Sequence, residues 1–325
     1  MGEALATAAD ISACFRLLLG RAPSPEEWAG HGALAGQPLA AVVKSYLDSP
    51  EHARRVHGEA SPEGRLRLVQ ADGFVIYADP DDLAVGAHVA AGAYEPEVAA
   101  VFRAHLRPGM RVVDVGGNIG VFTMLAASLV GPGGEVLAIE PNLANVRMIE
   151  ASRRANGFAQ VTVAACAVGR RVGLLELRTA FSNGATSEVG DTLAALFAAR
   201  LAPSLPLARL LPPGRVDFIK IDAEGAEHTA LSGALELLRR DRPTIVSEFS
   251  PSLLQSNSGV PGEEYLRLLM GIGYDVAVIG PQGRPAPCAD PAAAMAHWEA
   301  SGGDHVDLLL TAAPRGWRAF RRRVG

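Results

Sequence analysis

The sequence predicts an α/β protein built on an open, mostly parallel sheet, with a small helical segment in front of it. From Met110 onward, short β-branched runs alternate with helix-length segments, and this alternation predicts parallel strands joined by right-handed crossovers. One run leads directly into a glycine turn and a helix at residues 112–123. A strand followed by such a turn is typical of sheets that bind nucleotide ligands.

The composition is that of a globular chain with a sizeable core. Of the 325 residues, 49% are hydrophobic and 20% are charged, which excludes a disordered or fibrous protein. The net charge of −5 leaves no basic footprint, so we expect no nucleic-acid partner.

The cysteines and the start of the chain bear on the compartment. Cys14, Cys166 and Cys288 are odd in number and lack metal-type spacing, which suits a reducing compartment. The first twenty residues lack a basic start and include acidic side chains, unlike a signal peptide. No stretch reaches the ~20 apolar residues of a membrane span. We therefore expect a cytoplasmic protein.

The chain divides into three predicted parts, namely a helical module at 1–57, a polar linker at 58–64 and one large domain at 65–325. In the module, Ser24-Pro25 supplies an N-cap and a first-turn proline. A further helix is predicted over Leu39–Leu47, and Asp48-Ser49-Pro50 caps another short one. The module holds no cluster of reactive side chains, so we expect residues 8–57 to contact a partner protein or a second copy of the chain.

The large domain opens with a hairpin and a helix. Asp72-Gly73 between two alternating apolar runs is a hairpin signal, and a helix is predicted over Glu95–Leu106. Seven strands follow, at Arg111–Val115, Glu135–Ile139, Val161–Cys166, Val216–Asp222, Thr244–Phe249, Tyr274–Ile279 and His305–Thr311. The first five are parallel by the crossover rule. The last two, joined by a Pro/Gly/Ala-rich connection, predict a hairpin-like, antiparallel return.

An insertion at 167–215 separates the third and fourth strands. It contains an extra strand at Gly173–Leu177, a polar loop at 181–190 and an alanine- and leucine-rich helix that ends near Pro203. Insertions near the carboxyl ends of strands commonly build binding pockets. We therefore expect this insertion to contact the substrate.

The strongest chemical signal is the glycine turn Asp114-Val115-Gly116-Gly117-Asn118-Ile119-Gly120. Its glycines let the backbone approach a ligand, and the following helix offers unpaired N–H groups. Glu140, twenty residues later at the end of the second strand, is placed to accept hydrogen bonds from ribose hydroxyls. The Asp114 carboxylate favours S-adenosylmethionine, with its ammonium and sulfonium charges, over the pyrophosphate of a nicotinamide cofactor. The rival interpretations are NAD(P) and a glycine turn without a ligand.

A second cluster follows the fourth strand and contains Asp222, Glu224, Glu227 and His228. Ligands of an open parallel sheet lie at the carboxyl ends of its strands, where Asp222 falls. Glu227 is equally well explained by capping and dipole chemistry at a helix N-terminus. Glu248 lies near the end of the fifth strand, at the same edge of the sheet. It is interpreted either as a second functional carboxylate that faces the acceptor or as a solvated residue. These carboxylates are of the type that Mg²⁺ accepts, but no spacing demands a metal and none is predicted.

Several landmarks in order give the chain a resemblance to the FkbM family of S-adenosylmethionine-dependent methyltransferases. They are YEP at 94–96, PG at 108–109, VVDVGGNIGVFT at 112–123, AIEPN at 138–142, FIKIDAEGAEHTALSGA at 218–234 and VSEF at 246–249. The family usually has alanine at Gly117 and valine at Ala223. The resemblance implies a Rossmann-like class I methyltransferase fold, with seven strands and an antiparallel last strand. It also implies O-methylation of a hydroxyl on a sugar, glycan or natural product.

These observations define a set of site hypotheses for a methyltransferase acting on a small-molecule acceptor. The cofactor is expected to contact Tyr94, Glu95, Asp114, Gly116, Gly117, Asn118, Gly120, Glu140, Asp222 and Glu224. Asp222 or Glu248 is the expected general base, with His228 as a third candidate. The other histidines, His305 among them, are interpreted as solvated or satisfied residues rather than ligands, and the basic segment 315–323 is interpreted as solvated. Transfer to nitrogen, a non-catalytic cofactor-binding module and an NAD-dependent enzyme stay open as alternatives.

Overall fold

The computed structural model describes residues 4–49, 51–52, 66–180, 182–211 and 213–312. The chain divides into two units, Met1–Arg65 and Leu66–Gly325. Three predicted features fall outside the described residues, namely the linker at 58–64, most of the short helix after Asp48-Ser49-Pro50 and the basic segment at 315–323. No described helix has the length and apolar character that crossing a membrane requires.

The described part of the first unit contains short helices, and the first two α-helices have reciprocal N-terminal caps. Its α-helices are α1 (Ala8–Cys14), α2 (Pro25–His31) and α3 (Leu39–Leu47). At the start of α2, the Ser24 hydroxyl accepts from the Glu27 N–H, and the Glu27 carboxylate accepts from the Ser24 N–H. The helices enclose a small core of Ala6, Ile11, Cys14, Phe15, Val42 and Tyr46.

The second unit begins with the predicted hairpin. Strands β1 (Arg67–Gln70) and β2 (Val75–Ala78) pair antiparallel across Asp72-Gly73. Helices α4 (Gly86–Ala90) and α5 (Pro96–His105) follow. The helix α5 agrees with the predicted helix to within one residue at each end.

Strands and helices then alternate to the end of the described chain. Before the insertion these elements are β3 (Arg111–Val115), α6 (Val121–Val130), β4 (Glu135–Ile139), α7 (Leu143–Asn156) and β5 (Val161–Ala164). Within the insertion they are β6 (Ala167–Val168), β7 (Gly173–Ala180), β8 (Asn183–Ser187), α8 (Leu193–Ala198), β9 (Leu201–Leu205) and α9 (Leu207–Leu210). After it they are β10 (Phe218–Ile221), α10 (Glu227–Ser232), α11 (Leu235–Asp241), β11 (Thr244–Phe249), α12 (Pro251–Leu253), α13 (Gly262–Gly271), β12 (Tyr274–Ile279), β13 (Pro285–Cys288), α14 (Pro291–Ser301) and β14 (Val306–Ala312).

The central sheet has the strand order β13-β12-β14-β11-β10-β3-β4-β5. The pairs from β11 to β5 are parallel, as predicted, and β14 runs antiparallel to both β11 and β12. The expected hairpin-like return is confirmed, because β14 pairs antiparallel with β12, and β14 lies between β12 and β11. This order confirms the class I fold that the resemblance implies. The sequence does not predict the edge strand β13, because its proline-rich run lacks backbone donors.

The insertion forms its own four-stranded sheet, in the order β6-β9-β7-β8. The predicted extra strand is present as the longer β7. The predicted helix ends at Ala198 rather than near Pro203, because residues 201–205 form β9 and pair with β7. Part of the expected polar loop is the strand β8, which closes a hairpin with β7.

Apolar side chains cover both faces of the central sheet. Along β10, Ile219 and Ile221 join the core on one face, while Phe218 joins Phe102 and Phe122 on the other. A parallel strand that is buried on both faces is normally apolar throughout. Lys220 of β10 breaks this pattern, although it is only 5% exposed.

Candidate active site

The carboxyl ends of β3, β4, β10 and β11 meet at one edge of the sheet, where a cavity of about 210 Å³ opens. The chain continues from β3 to β4 on one side and from β10 to β11 on the other, which makes this the switch point at which open sheets bind ligands. Most predicted site residues line the cavity, namely Tyr94, Glu95, Gly116, Asn118, Glu140, Asp222, Glu224 and Glu248.

Gly116 holds the turn directly against the end of β10. Its φ is +77°, and a Cβ there would lie 1.7 Å from the carbonyl oxygen of Asp222. On the other side, the Gly116 N–H donates to the Ile139 carbonyl at the end of β4. Only a residue without a side chain fits between these two strand ends.

Asp114, Gly117 and Gly120 are not among the residues that line the cavity, so their contact with the cofactor stays a prediction. Asp114 is fully buried and accepts a hydrogen bond of 2.5 Å from the Thr123 hydroxyl of α6. Burial raises the pKa of this carboxyl. Gly117 and Gly120 pack against Ile149 of α7. The turn lines the cavity through Val115, Gly116 and Asn118.

Glu140 is buried at the end of β4 and is held by three donors. Its carboxylate accepts from the Asn118 N–H at 2.9 Å, the Asn142 N–H at 2.8 Å and the Asn145 amide at 3.4 Å. Burial raises the pKa of Glu140 to about 7, against these hydrogen bonds, which favour the charged form. Glu140 therefore connects the turn to the start of α7.

Left-handed backbone is concentrated at the cavity. Glu95 (φ 39°), Asn118 (φ 48°) and Glu224 (φ 50°) all line it, whereas the other described non-glycine residues with positive φ, Arg242 and Gln282, do not. Residues held in such conformations cost ~1–3 kcal/mol each and cluster at functional sites. The residues with positive φ therefore lie at the same cavity as the sequence motifs.

Lys220 lies beneath the cavity, forms an ion pair with Asp222 and interacts with the charges of Asp114 and Glu95. Its Nζ is 3.0 Å from Asp222 Oδ2 and 5.1 Å from the centre of the Phe122 ring. Burial lowers the pKa of this lysine, but the charges of Asp222, Asp114 and Glu95 outweigh burial and raise it. A charged lysine therefore fixes the orientation of Asp222.

The loop after β10 is fastened from two sides. Glu227 is 1% exposed, and its Oε1 accepts from the Ala223 N–H at 2.7 Å and the Gly225 N–H at 3.2 Å. From the other side, the Asn257 amide donates to the Glu224 carbonyl. The Glu227 carboxylate thus holds the loop ahead of α10 and does not line the cavity.

Glu248 presents a carboxylate with one unpartnered oxygen. Its Oε2 is buried and has no hydrogen-bond partner among the described residues, while Oε1 lies 3.7 Å from Nδ1 of His305. Burial, and then the charge of Asp222, raises the pKa of Glu248 well above its usual value. A cavity-lining carboxyl in this state is suited to take up a proton.

His305 lines the cavity, although the sequence indicates a solvated or satisfied residue. It precedes β14, and the antiparallel register of that strand, with Asp307 opposite Glu248, brings its start to the carboxyl end of β11. The His305 Nδ1 is 2.8 Å from Asp304 Oδ1. Burial lowers the pKa of His305, but the charges of Asp307 and Asp304 outweigh burial and raise it.

The sequence motifs also do not identify Lys220 and Asp307 as residues of the site. A charged residue inside the apolar run of β10 is a local signal for Lys220. Asp307 has no such signal, because only the pairing of β14 with β11 brings it beside Glu248. Burial raises the pKa of Asp307 to about 7.

His228 is not brought to the cavity. It lies in the first turn of α10, with its ring centre 6.4 Å from that of Tyr265. Its Nδ1 is buried without a partner among the described residues, and burial lowers its pKa. The ring packs towards Tyr265 of α13 and does not line the cavity, so the role of His228 as a third candidate base stays a prediction.

The insertion reaches the cavity through its hairpin. Ser182, Asn183, Gly184 and Thr186, around the start of β8, are part of the lining. The three cysteines are free and buried, and Cys166 also lines the cavity. Within the part of the chain that the structure describes, no group of three or more His, Cys, Asp or Glu side chains could hold a metal ion.

Comparison with protein-family models finds one family that matches part of the chain. Residues 114–270 match the family described as the Methyltransferase FkbM domain. The search of curated proteins finds no match.

Solved structures give similarities at low identity. The chain is similar to the methyltransferase FkbM from Methylobacillus flagellatus KT (15% identity, 92% of this chain and 58% of that chain, TM-score 0.40). It is also similar to a SAM-dependent O-methyltransferase from Thermotoga maritima (14% identity, 67% of this chain and 64% of that chain, TM-score 0.37). A third similar structure is that of the Pyrococcus abyssi tRNA (uracil-54, C5)-methyltransferase in complex with S-adenosyl-L-homocysteine (13% identity, 77% of this chain and 44% of that chain, TM-score 0.40). The chain thus spans 58% of the length of the first of these structures.

The matched region contains the glycine turn, Glu140, Asp222 and Glu248, which are the contributions of β3, β4, β10 and β11 to the cavity. The sequence landmarks, the strand order and this match therefore agree. Residues 114–270 therefore form a domain that matches the family described as the Methyltransferase FkbM domain.

Proposed function

We propose that this chain transfers a methyl group from S-adenosylmethionine to a hydroxyl oxygen of a small-molecule acceptor, such as a sugar, a glycan or a natural product. The observation that carries the choice of oxygen is Glu248, whose buried Oε2 has no partner among the described residues. A hydroxyl is a poor nucleophile until its proton leaves, so transfer to oxygen needs a base at this position.

The residues at the cavity suit the cofactor. Glu95, Glu140, Asp222, Glu224 and Glu248 line it, and none of the described lysines and arginines does, which favours a ligand with ammonium and sulfonium charges. A carboxylate accepts about four hydrogen bonds, and the three protein donors on Glu140 leave room for a ribose hydroxyl. When bound, the cofactor supplies a methyl group on a sulfonium, an electrophile that carries its own leaving group.

Asp222 and Glu248 take different parts in this proposal. Asp222 already accepts from Lys220, so we assign it the orientation of the acceptor hydroxyl. Glu248 removes the proton, because its Oε2 is the oxygen without a partner in the described chain. Gly116 and Asn118 supply the surface on which the methionine half of the cofactor lies. Holding both reactants in one geometry accounts for much of the expected rate.

The first prediction concerns the base. Glu248→Gln keeps the shape of the side chain but cannot take up a proton, so we expect turnover to fall ~100-fold or more while the affinity for S-adenosylhomocysteine stays within about threefold. The measurement is S-adenosylhomocysteine formation over a library of hydroxyl compounds, with binding followed by calorimetry. Glu299→Gln, on the exposed face of α14, is the matched control.

Two other outcomes identify the alternatives. Turnover on amines that survives in the double variant of Asp222→Asn and Glu248→Gln would show transfer to nitrogen, which needs less help from a base. Binding of S-adenosylhomocysteine by the wild-type chain without any methylated product would favour a non-catalytic cofactor-binding module. Undiminished transfer to hydroxyls by Glu248→Gln alone would refute its role as the base.

A further inference from the structure

The backbone of Ser182 is held in place by side chains from three separate segments. Its N–H donates to Asp82 Oδ1 at 3.2 Å, and its carbonyl accepts from the Asn145 amide at 2.7 Å and from the Asn118 amide at 3.4 Å. The Asn118 amide also donates to Asn183 Oδ1 at 3.0 Å. The tip of the β7–β8 hairpin is therefore anchored to the loop before α4, to the glycine turn and to α7.

The Ser182 hydroxyl is left without a partner by this arrangement. Ser182 is 7% exposed and lines the cavity, and its Oγ has no hydrogen-bond partner among the described residues. A buried polar group without a partner costs ~1–3 kcal/mol. A hydroxyl rotates between staggered positions and both donates and accepts. A ligand in the cavity can therefore supply the missing hydrogen bond.

The neighbours of Ser182 indicate which part of a ligand it would meet. The Asn145 amide that donates to the Ser182 carbonyl also donates to Glu140 Oε1. Glu140 is the carboxylate at the end of β4, where the ribose of a nucleoside ligand lies in sheets of this kind. The Asn145 side chain thus links Ser182 to Glu140, where the ribose is expected. Glu248 lies at the end of β11, and β10 and β3 separate that strand from β4.

We propose that Ser182 is a cofactor-contacting residue whose hydroxyl hydrogen-bonds the nucleoside half of S-adenosylmethionine. The inference rests on the proposed function in one respect, namely that the cavity holds this cofactor. It assigns the β7–β8 hairpin to cofactor binding, with its tip positioned by Asp82, Asn118 and Asn145. The acceptor is left to the opposite end of the cavity, around Glu248.

The test compares two serines of the same hairpin. Ser187 also has a buried, unpartnered Oγ, but it does not line the cavity. We expect Ser182→Ala to weaken the binding of S-adenosylhomocysteine about five- to tenfold, and Ser187→Ala to change it less than twofold. Calorimetry with 5′-methylthioadenosine, which lacks the amino-acid half, should show the same ratio. Thermal unfolding of each free variant checks that the fold is intact.

The outcomes separate this inference from the proposed function. A wild-type chain that binds no S-adenosylhomocysteine would refute both. A wild-type chain that binds it, together with Ser182→Ala at wild-type affinity, would refute the contact of Ser182 alone. If Ser182→Ala fails to fold, hydrogen exchange of the wild-type peptide over 182–187 decides instead. Slower exchange on addition of S-adenosylhomocysteine supports the contact, and unchanged exchange overturns it.

Discussion

His305 and Glu248 form a pair in which a half-exposed imidazole stands beside a largely buried carboxylate. Their side chains are 43% and 14% exposed, and Nδ1 lies 3.7 Å from Oε1. The charged groups around the pair are Asp222, Glu224, Glu227, Asp304 and Asp307. Among these carboxylates, a protonated His305 is the neighbour that favours the ionised form of Glu248. His305 is therefore a positioning residue that acts through the proposed base.

Replacing His305 should move the pH dependence of turnover. In His305→Asn the cation is lost, so the pKa of Glu248 rises further and the base is ionised only at higher pH. We expect the acid limb of the kcat/KM profile to move up by about one half to one pH unit, with affinity for S-adenosylhomocysteine unchanged. His297→Asn, exposed on α14, is the control. A profile identical to that of the wild-type chain would show that the two side chains are not coupled.

At the scale of elements, the glycine turn joins three strand ends within one short segment. Two adjacent glycines in it face very different surroundings. A Cβ on Gly116 would lie 1.7 Å from a backbone oxygen, whereas a Cβ on Gly117 meets its nearest neighbours at 3.4 Å. The first position excludes a side chain, and the second has room for a methyl group.

This contrast gives a prediction for the turn. Gly116→Ala adds strain at positive φ and a backbone clash, so we expect the free energy of unfolding to fall by more than ~2 kcal/mol and cofactor binding to be lost. Gly117→Ala should stay within about 1 kcal/mol of the wild-type chain and bind S-adenosylhomocysteine normally. Urea unfolding and calorimetry measure both effects. Equal destabilisation by the two substitutions would contradict the packing described for the turn.

The elements differ in how far the sequence alone predicts them. The hairpin at Asp72-Gly73, the glycine turn and the parallel strands have local signals, because turn chemistry and β-branched runs depend on neighbouring residues. The pairing of β14 with β11 depends on residues far apart in the chain. His305 and Asp307 enter the site through that pairing, so their sequence context does not indicate it. The strand β9 is missed for a local reason, because Pro203 suggests a break.

At the scale of the whole second unit, several buried carboxyls titrate near neutral pH. The pKa values of Glu140, Glu227 and Asp307 are each raised to about 7, chiefly by burial. In the unfolded chain these groups titrate near 4. Between about pH 4.5 and 7 the folded state therefore holds more protons than the unfolded state. Stability is highest below this window and falls as pH rises through it.

We therefore expect the cofactor-free second unit to lose up to ~2 kcal/mol of unfolding free energy for each of these three carboxyls between pH 5 and pH 7. The measurement is urea unfolding of the full chain at both pH values, followed by hydrogen exchange of peptides from residues 66–312. Glu227→Gln should flatten the dependence. In the first unit, Arg21 lowers the pKa of Glu27 to about 2, so its contribution is lost only below about pH 4.5 and lies outside this window. A second unit that is equally stable at both pH values would contradict the raised pKa values.

The insertion of β14 between β11 and β12 also has a consequence for biosynthesis. Domains emerge from the ribosome from the N-terminus, and strands that pair with distant partners form late. Until residues 306–312 have been made, β11 and β12 each lack their neighbour, and their unpaired edges are open to association with other chains. The glycine turn and Glu140 are in place by then, but the side of the cavity with Glu248 is not complete. The nascent chain should thus acquire the ability to bind the cofactor before the ability to use it.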